Sequence, residues 1–415
     1  MKRFILISIT LFTVPIFGQQ IITLDKCYDL VEKNYPIAKQ TNLIQEKSTY
    51  EIAALNKAKL PSINLNAQAT YQSDVIGLPT PMPGVEPINK DQYRAILDVN
   101  QLIYNGGIID ANAKFKEAQM LTQQQQVAVN LYQLKSRINF SYMMILLWQD
   151  QRELLIDKQN TIKTKIKEVQ SGVKNGAILP SSEQVLEAEL LKLEQALTEN
   201  SFLRIKEIQN LASLTASSIE ENAILERPNT NISEKGVRPE TKFFELQQAQ
   251  IEASERIISK NNLPKLNAFG QAGFGNPGLN MLDNSFQDFY MVGLKLNWNV
   301  FDWNKSKAEK QALAIAKDIV TTEKETFETN NQMQLNELQS EISKIDALIK
   351  TDTQIIQLRE KVVQSSDSQL RNGVITSSDY VTELNHLFDA KTIQKVHQTQ
   401  LELAKINYQT SKGIN

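Results

Sequence analysis

The chain contains a single cysteine, Cys27, so no disulfide can form within it. It has two histidines, His386 and His397, and no Cys/His cluster, which argues against a zinc site. It has no basic excess: Lys and Arg total 45, Asp and Glu 47, and a formal net charge of −2 gives no reason to expect nucleic acid as a partner. Aromatics are only 7%, few for one large compact core, while 41% hydrophobic and 22% charged residues exclude a wholly disordered chain. Beyond the N-terminus no segment has the apolar length of a membrane helix. Carboxylates abound, but they lie along helical faces, and no nucleophile–base pair or metal spacing stands out, so neither an enzyme nor a cofactor is expected.

The first residues carry an address. Lys2 and Arg3 precede an apolar run from Phe4 to Phe17, broken by Ser8, Thr10 and Thr13 and ended by Gly18. The run is too short and too interrupted to span a bilayer, and residues 1–18 read as a secretory signal, with Ile16 an imperfect match to the small residue such a cleavage site prefers. Cys27 follows Asp25-Lys26 rather than small apolar residues, which argues against a lipid anchor; we expect a half-buried thiol on a first helix.

The remainder reads as two copies of one design. Pro36 and Leu60-Pro61 in the first half match Pro239 and Leu263-Pro264 in the second, with both proline gaps equal to 25 (61 − 36 and 264 − 239). Val99-Asn100-Gln101-Leu102-Ile103-Tyr104-Asn105 resembles Leu296-Asn297-Trp298-Asn299-Val300-Phe301-Asp302 at an offset of 197 (302 − 105), and Asn175-Gly176 matches Asn372-Gly373 at the same offset (373 − 176). Landmarks kept in order, drifting only in one loop, indicate duplication, with a first repeat over 19–225 and a second over 226–415.

Each copy reads helix, strand pair, very long helix, turn, long helix. Strands are expected at about 62–72 and 93–104, then at about 265–275 and 289–301. The first is the clearest: Ile63, Leu65, Ala67, Ala69 and Tyr71 alternate with Asn64, Asn66, Gln68, Thr70 and Gln72, a period of two with one apolar and one uncharged polar face. Tyr290, Val292, Leu294 and Leu296 repeat the apolar face, while Lys295 and Asn297 point the other way. The Pro- and Gly-rich run from Gly77 to Gly84 must be a loop. The cluster Gly270, Gly273, Gly275, Gly278 lacks a phosphate loop's lysine and following helix, and reads as strand glycines near a turn. Tyr290, Trp298, Phe301 and Trp303 suit an interfacial aromatic girdle.

From about Ile108 to Gly172, and again from Lys305 to Arg371, there is no proline and no internal glycine. Such a stretch would make a helix of about 100 Å, a coiled-coil length rather than a globular one. Its apolar residues are sparse, at spacings of three and four (Ile342, Ile345, Leu348, Ile349), a narrow seam between wet faces that suits a tube wall.

Four strands cannot close a barrel, and an open sheet in lipid leaves two edges of unpaired backbone, each group costing several kcal/mol. Copies must therefore complete one another if these strands sit in a membrane. Two copies give too few strands for an open pore, so three is the smallest ring that leaves a conduit. In that arrangement Leu65, Ala67, Leu294 and Leu296 face outer-membrane lipid, and Asn66, Gln68, Lys295 and Asn297 face the barrel lumen. The alternative is a periplasmic structural or adaptor coiled-coil protein with small soluble sheets.

At this point the residues resemble the TolC-like outer membrane efflux family. The motifs are Leu24-Asp25-Lys26-Cys27 with Asn34-Tyr35-Pro36, Leu60-Pro61 before the first strand, Leu102-Ile103-Tyr104-Asn105-Gly106-Gly107 entering the long helix, and the two Asn-Gly turns. The resemblance covers nearly all of the chain after the signal. It implies an α+β membrane protein: duplicated long α-helical hairpins plus four β-strands per chain, forming a homotrimer with a twelve-stranded β-barrel continuous with an α-helical barrel. The implied role is an outer-membrane channel of a tripartite efflux or type I secretion system, a passive conduit fed by an inner-membrane pump through a periplasmic adaptor (membrane fusion protein). It implies adaptor docking at the tips, Asn175, Gly176, Ala177, Asn372, Gly373 and Val374. It also places a periplasmic gate at Asp379, with Glu183 the corresponding first-copy acid and Thr382 where some relatives carry a second acid. Ser181-Ser182-Glu183 and Ser377-Ser378-Asp379 offer N-capping oxygens, so Asp379 has a second reading as a helix cap.

Overall fold

The computed structural model describes residues 21–76, 87–176, 178–230 and 236–414. The signal over 1–18, the loop from Gly77 to Gly84 and the tip residue Ala177 lie outside the described residues. In chain order the elements are β1 (Ile21–Ile22), α1 (Leu24–Asn34), a 3₁₀ turn (Pro36–Lys39), α2 (Gln40–Lys57), β2 (Ser62–Tyr71), β3 (Asp91–Tyr104), α3 (Ile108–Gln133), α4 (Lys135–Lys174), α5 (Pro180–Thr215), β4 (Ile224–Leu225), α6 (Pro239–Asn261), β5 (Lys265–Asn276), β6 (Gln287–Asn297), α7 (Lys305–Arg371) and α8 (Ser377–Ser411). The architecture is α+β, long helices with one four-stranded sheet. The chain forms two compact units, one of Met1–Ala38, Asn130–Arg238 and Asn330–Asn415, the other of Lys39–Val129 and Pro239–Thr329. Each draws on both halves of the chain, so the units cut across the two copies read from sequence.

The first unit is helical. Thr23 opens α1, its hydroxyl accepting from the Lys26 N–H at 3.2 Å. Leu24, Cys27, Tyr28 and Val31 follow at helical spacing and are all buried. They pack against Ile138, Tyr142, Met143, Ile145 and Leu146 of α4, Ile208, Leu211 and Leu214 of α5, and Ile406 of α8. Cys27 is fully buried rather than half-buried, because it sits at the centre of this stripe, and burial pushes its thiol up to about 12. β1 and β4 pair in parallel, Ile21 with Ile224 and Ile22 with Leu225. The buried Tyr142 hydroxyl clasps this pair, donating towards the Ile22 carbonyl at 2.8 Å and the Glu226 carbonyl at 2.5 Å. A second core, formed by Ile162, Ile166 and Val169 of α4 with Leu186, Leu193, Leu370, Tyr380, Val381 and Leu384, lies towards the turns.

The long helix expected from Ile108 is interrupted. At Leu134 the backbone stays right-handed, but bonds from the Leu134 N–H to Leu131 and from Arg137 to Leu134 tighten one turn and separate α3 from α4. No proline or glycine marks the place. α7, by contrast, runs unbroken for 67 residues.

The second unit carries the sheet, in the order β2-β3-β5-β6, every pair antiparallel. Two hairpins meet at the β3–β5 seam, and β2 and β6 are the edges. Each strand lies close to its expected bounds except the last. β6 stops at Asn297 rather than near 301, because its partner β5 begins at Lys265, directly opposite Asn297; the next residue, Trp298, donates its indole N–H to the Asn262 carbonyl at 3.1 Å. Beside the sheet, Thr122 donates to the Leu246 carbonyl, Gln125 to that of Pro239, and the Phe244 and Phe327 rings pack 5.9 Å apart, holding α3, α6 and α7 together.

Candidate functional site

Strand register decides which residues share a face, because directly opposed residues in an antiparallel pair point the same way. Leu65 lies opposite Leu97, Leu97 opposite Ala272, and Ala272 opposite Tyr290. The same face carries Ile63, Ala67, Val99, Leu266, Ala268, Phe274, Val292, Leu294 and Leu296. It is uncovered in the single chain: Leu65 is 74% and Leu294 70% exposed. The other face takes Asn64, Asn66, Gln68, Arg94, Asp98, Asn100, Asn267, Gln271, Lys295 and Asn297. Leu65, Ala67, Leu294 and Leu296 thus share one face of the sheet, and Asn66, Gln68, Lys295 and Asn297 share the other.

The polar face is ordered by side-chain bonds. Asp98 accepts from Asn66 Nδ2 at 2.6 Å and from Gln271 Nε2 at 2.5 Å, tying three strands together. Two glycines have packing reasons. A Cβ on Gly273 would meet the Phe289 ring at 2.5 Å, and one on Gly293 would meet the Phe269 ring at 2.8 Å. Each ring lies over the glycine directly opposite it. Gly270, Gly273 and Gly275 are indeed strand residues of β5, and Gly278 follows in the turn.

The turns between the long helices present glycines in the left-handed region. Gly176 has φ +73° and Gly373 φ +70°, both with open space where a Cβ would stand. At the second turn Gly373 N–H bonds to Leu370 and Val374 N–H to Gln369, the paired reverse bonds that close a helix C-terminus. Asn372 adds a side-chain bond to the Ser368 carbonyl at 2.9 Å, and Val374 is 71% exposed. Asn175 occupies the matching position at the end of α4.

The capping expectation needs correction. α8 is capped by Thr376, not by the serines: Thr376 Oγ1 accepts from the Asp379 N–H, and the Asp379 carboxylate accepts from the Thr376 N–H at 2.9 Å and its hydroxyl at 2.7 Å. These bonds hold the Asp379 carboxyl below the usual carboxylate range, the Thr376 hydroxyl contributing most. α5 has no side-chain cap. It starts after Leu179 with Pro180 in its first turn, where a missing N–H costs nothing. Glu183 therefore falls one residue deeper into its helix than Asp379 does, and accepts from Gln170 Nε2 at 2.7 Å. The Thr382 hydroxyl donates back to the Ser378 carbonyl at 2.9 Å.

No protein-family model matches the chain, and no curated protein matches it in sequence. Solved structures do match its fold. A crystal structure of CusC, described in connection with transmembrane channel formation, superposes with a TM-score of 0.70 at 10% identity, over 94% of this chain and 92% of that one. VceC, an outer membrane protein of Vibrio cholerae, gives 0.66 at 13% identity, over 94% and 96%. The CmeC outer membrane channel of Campylobacter jejuni gives 0.65 at 14% identity, over 94% and 85%. The chain has the TolC-like fold.

Two features of this TolC-like chain escaped the sequence reading. The first is an ionic cluster near the turns. Buried Lys165 on α4 meets Glu168 at 2.6 Å and also Asp367 on α7, and Arg371 reaches both acids, at 3.3 and 3.1 Å. The Lys165 ammonium also lies 5.3 Å from the Tyr380 ring centre. Only the Lys165–Glu168 spacing of three and the Asp367–Arg371 spacing of four are visible in sequence; the contacts between α4 and α7 are not. The second is the strand-to-helix junction. Asn105 accepts from the Gly107 N–H at 3.0 Å, with Gly106 and Gly107 both at positive φ. At an offset of 197 (304 − 107), Asp302 accepts from the Asn304 N–H at 3.1 Å, and Trp303 and Asn304 are left-handed without being glycine. Bonds from Ser306 and Asn262 draw the Asp302 carboxyl down to about 2.

Proposed function

We propose that three copies of this chain close a twelve-stranded barrel in the outer membrane and act as a passive export conduit from periplasm to exterior. One observation carries the reading: a four-stranded sheet with two unpaired edges, β2 and β6, and one face whose middle is uncovered apolar side chains. Water would leave that face without a driving force to stay exposed, and lipid would leave the edges unpaired at several kcal/mol per group. A ring in which β6 of one copy pairs with β2 of the next meets both demands, with the apolar face outward and the polar face lining the bore. The TolC-like fold, shared with one protein described as an outer membrane protein and another described as an outer membrane channel, supports the same answer.

In this reading the long helices form the periplasmic part of the conduit. The turns at Asn175, Gly176 and Ala177, and at Asn372, Gly373 and Val374, receive a periplasmic adaptor that links the conduit to an inner-membrane pump. Asp379, Glu183 and Thr382 lie just past those turns and narrow the entrance. A conduit of this kind needs neither catalytic residues nor a cofactor. A periplasmic coiled-coil protein would have to hide the apolar sheet face in some other way. Membrane fractionation tests the choice. The conduit requires the chain to stay with outer membranes through high-salt and alkaline washes and to leave only in detergent, as a trimer by native mass spectrometry. Release as a soluble monomer would overturn the proposal.

A further inference from the structure

The polar face of the sheet is unbalanced in charge. Arg94, Lys265 and Lys295 lie on it, and Asp98 is its single acid among the described strand residues. The other strand acids, Asp91 and Asp288, fall on the apolar face near the strand ends, opposite Tyr71 and Phe274. Asp98 is bonded to two neutral amides, Asn66 and Gln271. It stands four residues from Arg94 along β3, and its β5 partner Gln271 stands four from Asn267, the residue opposite Lys295. Four residues of strand are about 13 Å. That exceeds the screening length of about 8 Å at physiological salt, so the acid does not cancel either cation. Arg94 instead lies over the Phe289 ring at 5.8 Å. Ile96, Phe269, Phe289 and Met291 share this face, so cations and apolar surface alternate along it.

We infer that the barrel bore of this protein favours organic anions, molecules that join a carboxylate or sulfonate to an apolar body. The cations supply the attraction for the anionic group, and the aromatic and aliphatic side chains between them supply contact for the rest. This rests on the reading of the polar face as the lumen.

Local thiol chemistry tests it, since Cys27 is fully buried and leaves an engineered cysteine as the accessible thiol. Asn267→Cys places a thiol opposite Lys295 on the polar face, and Ala268→Cys places one on the apolar face. Trimers in outer membranes are treated with methanethiosulfonates carrying either a sulfonate or a trimethylammonium group, with rates divided by those for a free thiol. At Asn267→Cys the anionic reagent should react about fivefold faster than the cationic one at low salt. The preference should shrink in high salt, and shrink again when Lys295→Gln is added. Gln68→Cys, opposite Arg94, gives the same reading if Asn267→Cys assembles poorly. A cationic preference at the polar-face sites, or a preference that ignores Lys295→Gln at Asn267→Cys or Arg94→Gln at Gln68→Cys, overturns the inference and leaves the conduit intact. Modification at Ala268→Cys with none at the polar-face sites inverts the faces and overturns the conduit reading itself.

Discussion

Leu65 and Asn66 are adjacent in β2, near its middle, and point to opposite faces. An arginine placed at each in turn should therefore give opposite results. Leu65 is 74% exposed and has Leu97 beside it. In a barrel that position looks into hydrocarbon, where an arginine near mid-membrane costs about 2–4 kcal/mol. A trimer carries three, so Leu65→Arg should cost about 6–12 kcal/mol per assembly and remove most of the trimer. Asn66 lies on the polar face with its amide 2.6 Å from Asp98. An arginine there exchanges an amide–carboxylate bond for an ion pair in a wet bore, a change within about 1 kcal/mol per chain. Unheated gel electrophoresis of outer membranes reports the fraction of trimer. The expected result is trimer for Asn66→Arg and little or none for Leu65→Arg. Equal loss in both, equal tolerance, or the reverse order would refute the barrel, because a soluble sheet gives no reason for an arginine on its exposed face to be costly.

Asp379→Ala should shift the channel's ion preference away from cations in bilayer recordings while trimer yield holds, because it removes negative charge at the entrance and leaves the bore as it was; lost helix protection with unchanged selectivity would make it a cap alone. As a cap its bonded carboxyl has a lowered folded value, so its contribution is present at neutral pH and lost as pH falls below the ordinary carboxyl value of 3.8, where hydrogen exchange at the first amides of α8 should quicken. Val374→Trp, at an exposed turn position, should cut efflux without lowering trimer yield, and unchanged crosslinking to the adaptor would count against docking there. Tyr142→Phe removes the donor shared by the Ile22 and Glu226 carbonyls and should cost about 1–3 kcal/mol in thermal unfolding, with little effect if water replaces the hydroxyl.

The sheet was legible because its chemistry repeats every two residues. Once Ile63, Leu65, Ala67, Ala69 and Tyr71 are seen to alternate with amides, both faces follow, and register carries the division across the other strands. Which strands meet was not legible. β3 and β5 come from different halves of the chain, and nothing in Tyr93 or Asn276 announces that they are partners. The break at Leu134 was hidden for a related reason: it is a change of hydrogen-bond step, made without the proline or glycine that would mark it. Capping was partly legible. Ser377 and Ser378 looked like caps, but Thr376 precedes them and takes the role, since its hydroxyl and the Asp379 carboxylate can bond each other's backbone. The Lys165 cluster depends on Asp367, far along the chain, and only folding brings the two together.

The two strand-to-helix junctions bear on how such a protein can be recognised at all. Gly106 and Gly107 reach the left-handed region freely, whereas Trp303 and Asn304 enter it at roughly 1–2 kcal/mol each. The Asp302 carboxylate holding Asn304 N–H, and the Phe301 ring meeting Trp303 edge-on at 4.8 Å, help to offset that cost. What the two junctions share is a pair of consecutive residues at positive φ and a side-chain acceptor two residues before the second of them, with different letters in each. A pattern spelled in glycines would find one junction and miss the other, while a comparison of backbones finds both.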